Sequence, residues 1–205
     1  MRCRHCKEKF TSTRFNVKYC EKIDCRTQEA MYNLGKIKER EKRLKAKAKR
    51  KVKLEVKRDE YAGTLQKEIN KLARQIDSKF FDTCIDCGKK LGDSKHGAHF
   101  NNVKGHENIR FNLHNIHQSR GHCNKYSSQH KVGYEEGLKN RYGEDYFNFV
   151  KFELNLKYPV LKLTGQEISE KLKIVRKLNR DFETFVFTDP KKARDMFNEL
   201  IGIYK

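Results

Sequence analysis

The chain has no tryptophan, two prolines and three methionines in 205 residues. Apolar residues make up 36% and charged residues another 36%, which is lean for one large core but enough for small modules, especially ones stapled by metal. No apolar run approaches the roughly 20 residues of a membrane span. The opening MRCRHCKEKF has a charged start without the apolar stretch of a signal peptide. These absences point to a soluble, cytoplasmic protein with no membrane partner. Acidic residues are also scarce, 27 against 47 Lys and Arg, for a net charge of +20. Such an excess is the footprint of a polyanionic partner, because each neutralised phosphate releases counterions. Nucleic acid is the first expectation; an anionic membrane surface or simple solubility are the weaker ones.

Seven cysteines are present. An odd count in a reducing compartment is better explained by metal than by disulfides. Cys3-x2-Cys6 and Cys20-x4-Cys25 provide two pairs of thiolates separated by a short excursion. That spacing suits a structural zinc ion, whose binding would supply the folding energy that so short a segment lacks. Four unrelated surface thiols are the bland alternative.

From Thr27 to about Arg58 the chain is rich in strong helix formers. Between Lys36 and Arg58 there are thirteen Lys and Arg against three Glu, and the few apolar residues make no wide stripe. The segment is read as a helical arm lying along phosphates, through Lys42, Arg43, Lys45, Lys47, Lys49, Arg50, Lys51 and Lys53. A solvated connector is the other reading. Leu65, Ile69, Leu72 and Ile76 then recur at helical spacing, predicting an amphipathic helix over Thr64–Ser78. Further on, a helix over Val132–Tyr146 should break near Gly143. Thr164-Gly-Gln-Glu167 is a capping box opening a helix to about Phe185. Asp189-Pro190 opens a last helix to about Ile203. These C-terminal helices show no cluster of nucleophile, base and orienting group, and are read as support or as a dimerisation or DNA-contacting surface. No internal repeat is visible.

Seven of the eight histidines fall between His96 and His130. The order of parts there is Cys84-x2-Cys87-Gly, an extended KHGAHFNNV, NIRFNLHNIHQ, and GHCNKYSSQHKVG leading into a helix. A knuckle, an extended histidine segment, an asparagine and a Cys-Asn entering a helix resemble the HNH, or ββα-metal, nuclease family. The combination CIDCG, GAHF, IRFNLHNIHQ and CN, with the cysteine module, the Lys-rich helix and the helical tail around it, is more closely similar to the phage NinG (Rap) recombination proteins. That resemblance covers most of the chain. It implies cleavage of branched DNA such as Holliday junctions, in the host cytoplasm, using a catalytic Mg2+ or Mn2+ beside one or two structural Zn2+. It places His99 at the general base, Asn115 at the loop-orienting asparagine and Asn124 at a cation ligand. His114 and Tyr126 are left as surface or phosphate-contacting residues.

Two departures stand out. The second C-x2-C of the family pattern has Arg120 at its first position, leaving Cys84, Cys87 and Cys123 as three thiolates. The fourth ligand is then His122 or His117, or a non-protein group, or the site holds no zinc. The acidic position ahead of the catalytic histidine is occupied by His96-Gly-Ala98, so either His96 or another residue such as His130 serves as cation ligand, or catalysis is impaired. Arg120 is itself read as a DNA contact.

The expected fold is α+β and mostly helical. It comprises an N-terminal four-cysteine zinc module (1–26), a long basic helix (27–79), a small zinc-stabilised ββα-metal core (80–143) and C-terminal helices (144–205). The expected function is a metal-dependent endonuclease acting on branched or duplex DNA. A non-catalytic, zinc-stabilised DNA- or RNA-binding protein is the alternative. A homodimer fits two-site cleavage by analogy, although no residue pattern encodes one.

Overall fold

The computed structural model describes residues 1–126 and 130–204, with only the backbone of Lys125 and Tyr126. Among the described residues the chain is mostly helical with one two-stranded sheet. It divides into two compact units, Met1–Lys53 and Leu54–Lys205. No helix among the described residues is long and apolar enough to cross a membrane.

In the first unit, Cys3, Tyr19, Cys20 and Cys25 are buried together, with Cys6 and Phe10 packed against them. Helix α1 (Ile23–Val56) starts at this cluster, and Cys25 is its buried residue. With no apolar stripe to bury, the rest of α1 in this unit rests on helix propensity.

The second unit is built on α2 (Arg58–Ser78), which begins earlier than the apolar periodicity predicts. Asp59 and Glu60 in its first turn complement the helix dipole there. Its buried stripe of Leu65, Ile69, Leu72 and Ile76 packs on Ile168, Leu172 and Val175 of α7 (Gly165–Arg180) and on Phe197 and Ile201 of α8 (Pro190–Ile201). The sequence signals for both later helices act as read. Thr164 accepts from the Glu167 N–H at 3.2 Å, and Glu167 accepts from the Thr164 N–H at 2.8 Å. Asp189 accepts from the N–H groups of Lys191 and Lys192, and Gly202 ends α8 in the left-handed region. The capped helix α7 stops at Arg180, short of Phe185, and a 3-10 turn over Phe182–Thr184 follows it.

Strand β1 (Lys95–His99) pairs antiparallel with β2 (Ile116–Arg120), and α3 (Gly121–Tyr126) follows directly. The register sets Lys95 opposite Arg120, His96 opposite Ser119, Ala98 opposite His117 and His99 opposite Ile116. Successive side chains alternate between faces. His96, Ala98, His117 and Ser119 therefore share one face, while Gly97, His99, Ile116 and Gln118 share the other. Ile116 joins the core around α2. Ala98 joins a second core with Ile85, Tyr134 and Leu138 of α4 (His130–Tyr142), and with Tyr146 and Phe147 of α5 (Glu144–Asn148). Gly143, at φ +89°, separates α4 from α5 at the break its sequence predicts. A π-helical turn (Phe149–Glu153) and the short α6 (Leu154–Lys157) complete this layer.

Two close approaches depend on glycine. A Cβ at Gly97 would stand 2.8 Å from Asn70 Cβ, so the hairpin lies flat against α2. On α4, a Cβ at Gly137 would stand 1.9 Å from Ile85 O and one at Gly133 2.2 Å from Asp86 O. These two glycines, one helical turn apart, seat α4 on the Cys84–Cys87 turn. Gly137→Ala should therefore destabilise the second unit by about 1–3 kcal/mol, because the carbonyl cannot move aside as a flexible side chain would. Gly35→Ala, with nothing within 4 Å on α1, should be neutral or slightly stabilising. Denaturant unfolding of both variants checks the contrast.

Candidate functional site

The cysteines are presented by two turns with one bonding pattern. In the first, Cys3 N–H donates to Glu8 O at 2.9 Å and Lys7 N–H to Cys3 O at 3.1 Å. In the second, Cys84 N–H donates to Lys89 O at 2.8 Å and Gly88 N–H to Cys84 O at 3.0 Å. The residue after each second cysteine is left-handed, Lys7 at φ 63° and Gly88 at φ 66°. No repeat is visible in the sequence because little besides C-x2-C recurs, yet the chain folds the same knuckle twice.

A zinc ion with Zn–S bonds of about 2.3 Å sets tetrahedral sulfurs about 3.8 Å apart. The sulfurs of Cys3, Cys6, Cys20 and Cys25 all lie within 4.8 Å of one another, with Cys6 and Cys20 at 3.7 Å. Their protonation behaviour is that of crowded thiols. Burial opposes ionisation of Cys3, but backbone N–H groups at Cys20, Cys6 and His5 bring it down to about 6. Burial, together with the neighbouring thiols, pushes Cys25 up to about 12. Four thiolates at this spacing need a cation, and the donor set fits zinc.

In the second cluster, Cys84, Cys87 and Cys123 also lie within 4.8 Å of one another, with Cys87 and Cys123 at 3.5 Å. Burial drives Cys123 up to about 12. Cys87 is exposed and lowered, because hydrogen bonds from the Lys89 backbone, the two other thiols and the Arg120 side chain outweigh its burial cost. These three sulfurs fit zinc as well. Neither His122 nor His117 joins their group among the described residues. His122 is exposed at the start of α3, whereas His117 is fully buried. Arg120, read as a DNA contact, is half-buried beside the cluster, and its N–H donates to Cys84 Sγ at 3.2 Å.

The structure brings His96 and Asn124 together, Asn124 Nδ2 lying 3.2 Å from His96 Nδ1. It does not bring His130 to them. That ring pairs through Nδ1 with Asp86, whose carboxylate also receives the Ser119 hydroxyl. His99 ends β1 on the opposite face from His96. Its Nε2 is 3.0 Å from Arg110 O. A carbonyl only accepts, so Nε2 carries the proton and Nδ1 is left as the acceptor. Burial, ahead of the Arg110 charge, holds the His99 pKa below the usual imidazole value and keeps the ring neutral at pH 7. Asn115 is fully buried and clamps the connection between the strands. Its Oδ1 accepts from Asn101 N–H at 2.8 Å and its Nδ2 donates to Asn101 O at 3.0 Å.

His114 is not a surface residue. It is buried, with Nδ1 3.0 Å from Tyr146 Oη and Nε2 2.9 Å from Asp195 Oδ1. Tyr126, grouped with it, has a side chain outside the described residues. His114 belongs to a buried polar web that sequence reasoning missed. His117 sits 3.1 Å from Tyr134 Oη through Nδ1 and 3.5 Å from Tyr146 Oη through Nε2. Tyr134 donates to Ala98 O at 2.7 Å. Asp77 and Arg194, both fully buried, pair at 2.8 Å. Asp77 also accepts from Gln118 N–H and Tyr142, and Arg194 donates to the carbonyls of Leu113 and Ile116. One signal was available: Asp77 and Arg194 both fall on the apolar stripes of their helices.

The basic arm is as exposed as its composition requires. Lys42, Arg43, Lys45, Lys47, Lys49, Arg50, Lys51 and Lys53 all lie on the solvent-facing surface of α1.

A family model described as "Bacteriophage Lambda NinG protein" matches residues 1–183, a span that contains both cysteine clusters and the hairpin. Neither a curated protein nor a solved structure matches the chain.

The buried histidines make stability depend on pH. Burial holds His117 well below, and His114 below, the free value of 6.5. On acidification the unfolded chain therefore binds more protons than the folded one. The contribution of these neutral rings is complete above about pH 6.5 and is lost as the pH falls through the interval beneath it, by at most about 1.4 kcal/mol per pH unit for each ring. The denaturation midpoint should drop between pH 7.5 and 5.5, and His117→Gln should make that drop shallower.

Proposed function

The chain belongs to the bacteriophage lambda NinG family, and with it to the recombination-related proteins of phage; from that premise we propose that it is a metal-dependent endonuclease cleaving branched DNA such as Holliday junctions. The observation that carries the reading is His99. Its ring is neutral, its tautomer is fixed by Arg110 O, and its Nδ1 is the nitrogen able to take a proton from water. Asn115 holds the loop that follows His99, so it acts as a positioning residue. His96 and Asn124, one nitrogen donor and one amide, are the pair that would hold Mg2+ or Mn2+. When bound, such an ion would stabilise charge on the scissile phosphate and the leaving oxygen. The Cys84, Cys87 and Cys123 cluster, were it to hold zinc, and the α4 seat on its knuckle would fix the elements that carry these groups. The exposed lysines and arginines of α1 would follow the phosphate backbone without reading sequence.

A second reading rests on a specific observation. His99 and His96 leave β1 on opposite faces, and no carboxylate joins His96 and Asn124 in a metal-binding group among the described residues. A zinc-stabilised protein that binds branched nucleic acid without cutting it would need neither feature.

Cleavage of a synthetic four-way junction, beside linear duplex of the same sequence, separates the two. With Mg2+ and then Mn2+, the wild type should nick the junction. His99→Ala should bind it equally well and cut at least about 100-fold more slowly. Saturated binding by the wild type with no cleavage under either cation would replace the endonuclease reading with the binding one.

A further inference from the structure

The two cysteine clusters differ in how completely the protein surrounds a metal. The first offers four thiols and the second three. Beside the second, Ser119 faces the sulfurs, its hydroxyl 3.6 Å from Cys84 Sγ. Arg120, the residue at which the family pattern departs, is the next residue along β2; its backbone N–H donates to Cys84 Sγ at 3.2 Å and its side chain hydrogen-bonds Cys87, as a donor with no lone pair to offer a metal. Ser119 is an uncharged hydroxyl already bonded to Asp86, a poor substitute for a thiolate. The ring nitrogens of His117 face Tyr134 and Tyr146, and His130 pairs with Asp86.

Cys84, Cys87 and Cys123 line a cleft of ≈ 710 Å3 together with Glu136, Asn140 and Arg141. Cys87 is exposed on it. Arg141 is held by the carbonyl and hydroxyl of Thr83, but its Nη1 is buried without a hydrogen-bond partner. A buried donor of that kind is satisfied by an oxygen ligand or a water in the cleft.

We propose that Cys84, Cys87 and Cys123 hold a zinc ion whose fourth ligand is a solvent-derived oxygen entering from this cleft, so that this site exchanges its ligand and its metal while the four-thiolate N-terminal site stays closed. A zinc site with three protein ligands keeps an open position, whereas four-thiolate sites are saturated. The chain thus carries one permanent and one exchangeable metal. Loss of the second would release the turn on which α4 is seated.

The test uses the full chain loaded with Co2+, whose thiolate charge-transfer absorbance reports the number of bound sulfurs, together with the rate of metal transfer to a coloured chelator. The wild type should bind two ions and release them in a fast and a slow phase of equal size. Ser119→Cys should raise the charge-transfer absorbance from seven to eight thiolates per chain and abolish the fast phase. Ser119→Ala should keep the fast phase and the seven-thiolate spectrum. Binding of a single ion, release of both in one phase, or a Ser119→Cys chain indistinguishable from wild type would each overturn the proposal. Loss of the second ion in Ser119→Ala would overturn it too, by making the serine hydroxyl the ligand.

Discussion

Asp77 and Arg194 lie 117 residues apart, at 2.8 Å from each other and fully out of water. Removing one partner of such a pair typically costs about 3–5 kcal/mol, because the other is left as an uncompensated buried charge. The pair does more than cancel itself. Asp77 takes the Gln118 N–H at 2.7 Å, and Arg194 gives hydrogen bonds to Leu113 O at 3.1 Å and Ile116 O at 3.2 Å. Three backbone groups on and just before β2 are thus satisfied by side chains from α2 and α8. An apolar replacement of similar volume could fill the space but could not accept from the Gln118 N–H and donate to the Ile116 carbonyl along the same edge of β2. Its value lies in fixing one position for the strand.

Every candidate group in the second unit is placed through that strand. β2 sets the register of β1, and with it which histidines share a face. Asn115, at the head of β2, closes the loop onto Asn101, directly after the end of β1 where His99 sits. On the face away from α2, Tyr134 bonds at once to Ala98 O, to His117 N–H and to the His117 ring. The aromatic layer of α4 and α5 is therefore tied to the hairpin by polar atoms as well as by packing. Gly133 and Gly137 bring the same helix onto the Cys84–Cys87 turn. The second metal cluster, the hairpin and the aromatic layer are consequently one mechanical assembly.

Features that depend on local chemistry were legible in the sequence. The C-x2-C pairs, the Thr164 capping box, the Asp189-Pro190 start and the Gly143 break act within a few residues of themselves, and each takes the form its sequence implies. Long-range partnerships were not legible. His114 reads as a surface histidine because nothing nearby marks it; its partners are Tyr146 and Asp195, 32 and 81 positions away. Each knuckle is legible from its C-x2-C, but the identity of their backbone bonds is not, because little else in the two segments recurs. Arg120 marks the departure at the second cluster in the sequence, but that Ser119 also reaches the thiols shows only once β2 is folded against the Cys84–Cys87 turn. The opposite orientation of His96 and His99 follows from their odd spacing, yet it has meaning only once β1 has a partner and two distinct faces.

Water activation in this frame requires a neutral His99 with Nδ1 as its accepting nitrogen. Long-range nitrogen–proton correlation NMR of the histidine side chains, in the full chain at neutral pH, reads the tautomer and the charge of each ring. The expected result is a His99 ring that is uncharged and protonated at Nε2, the nitrogen facing Arg110 O. A His99 ring protonated at Nδ1, or charged at neutral pH, would contradict this and leave the hairpin without a base.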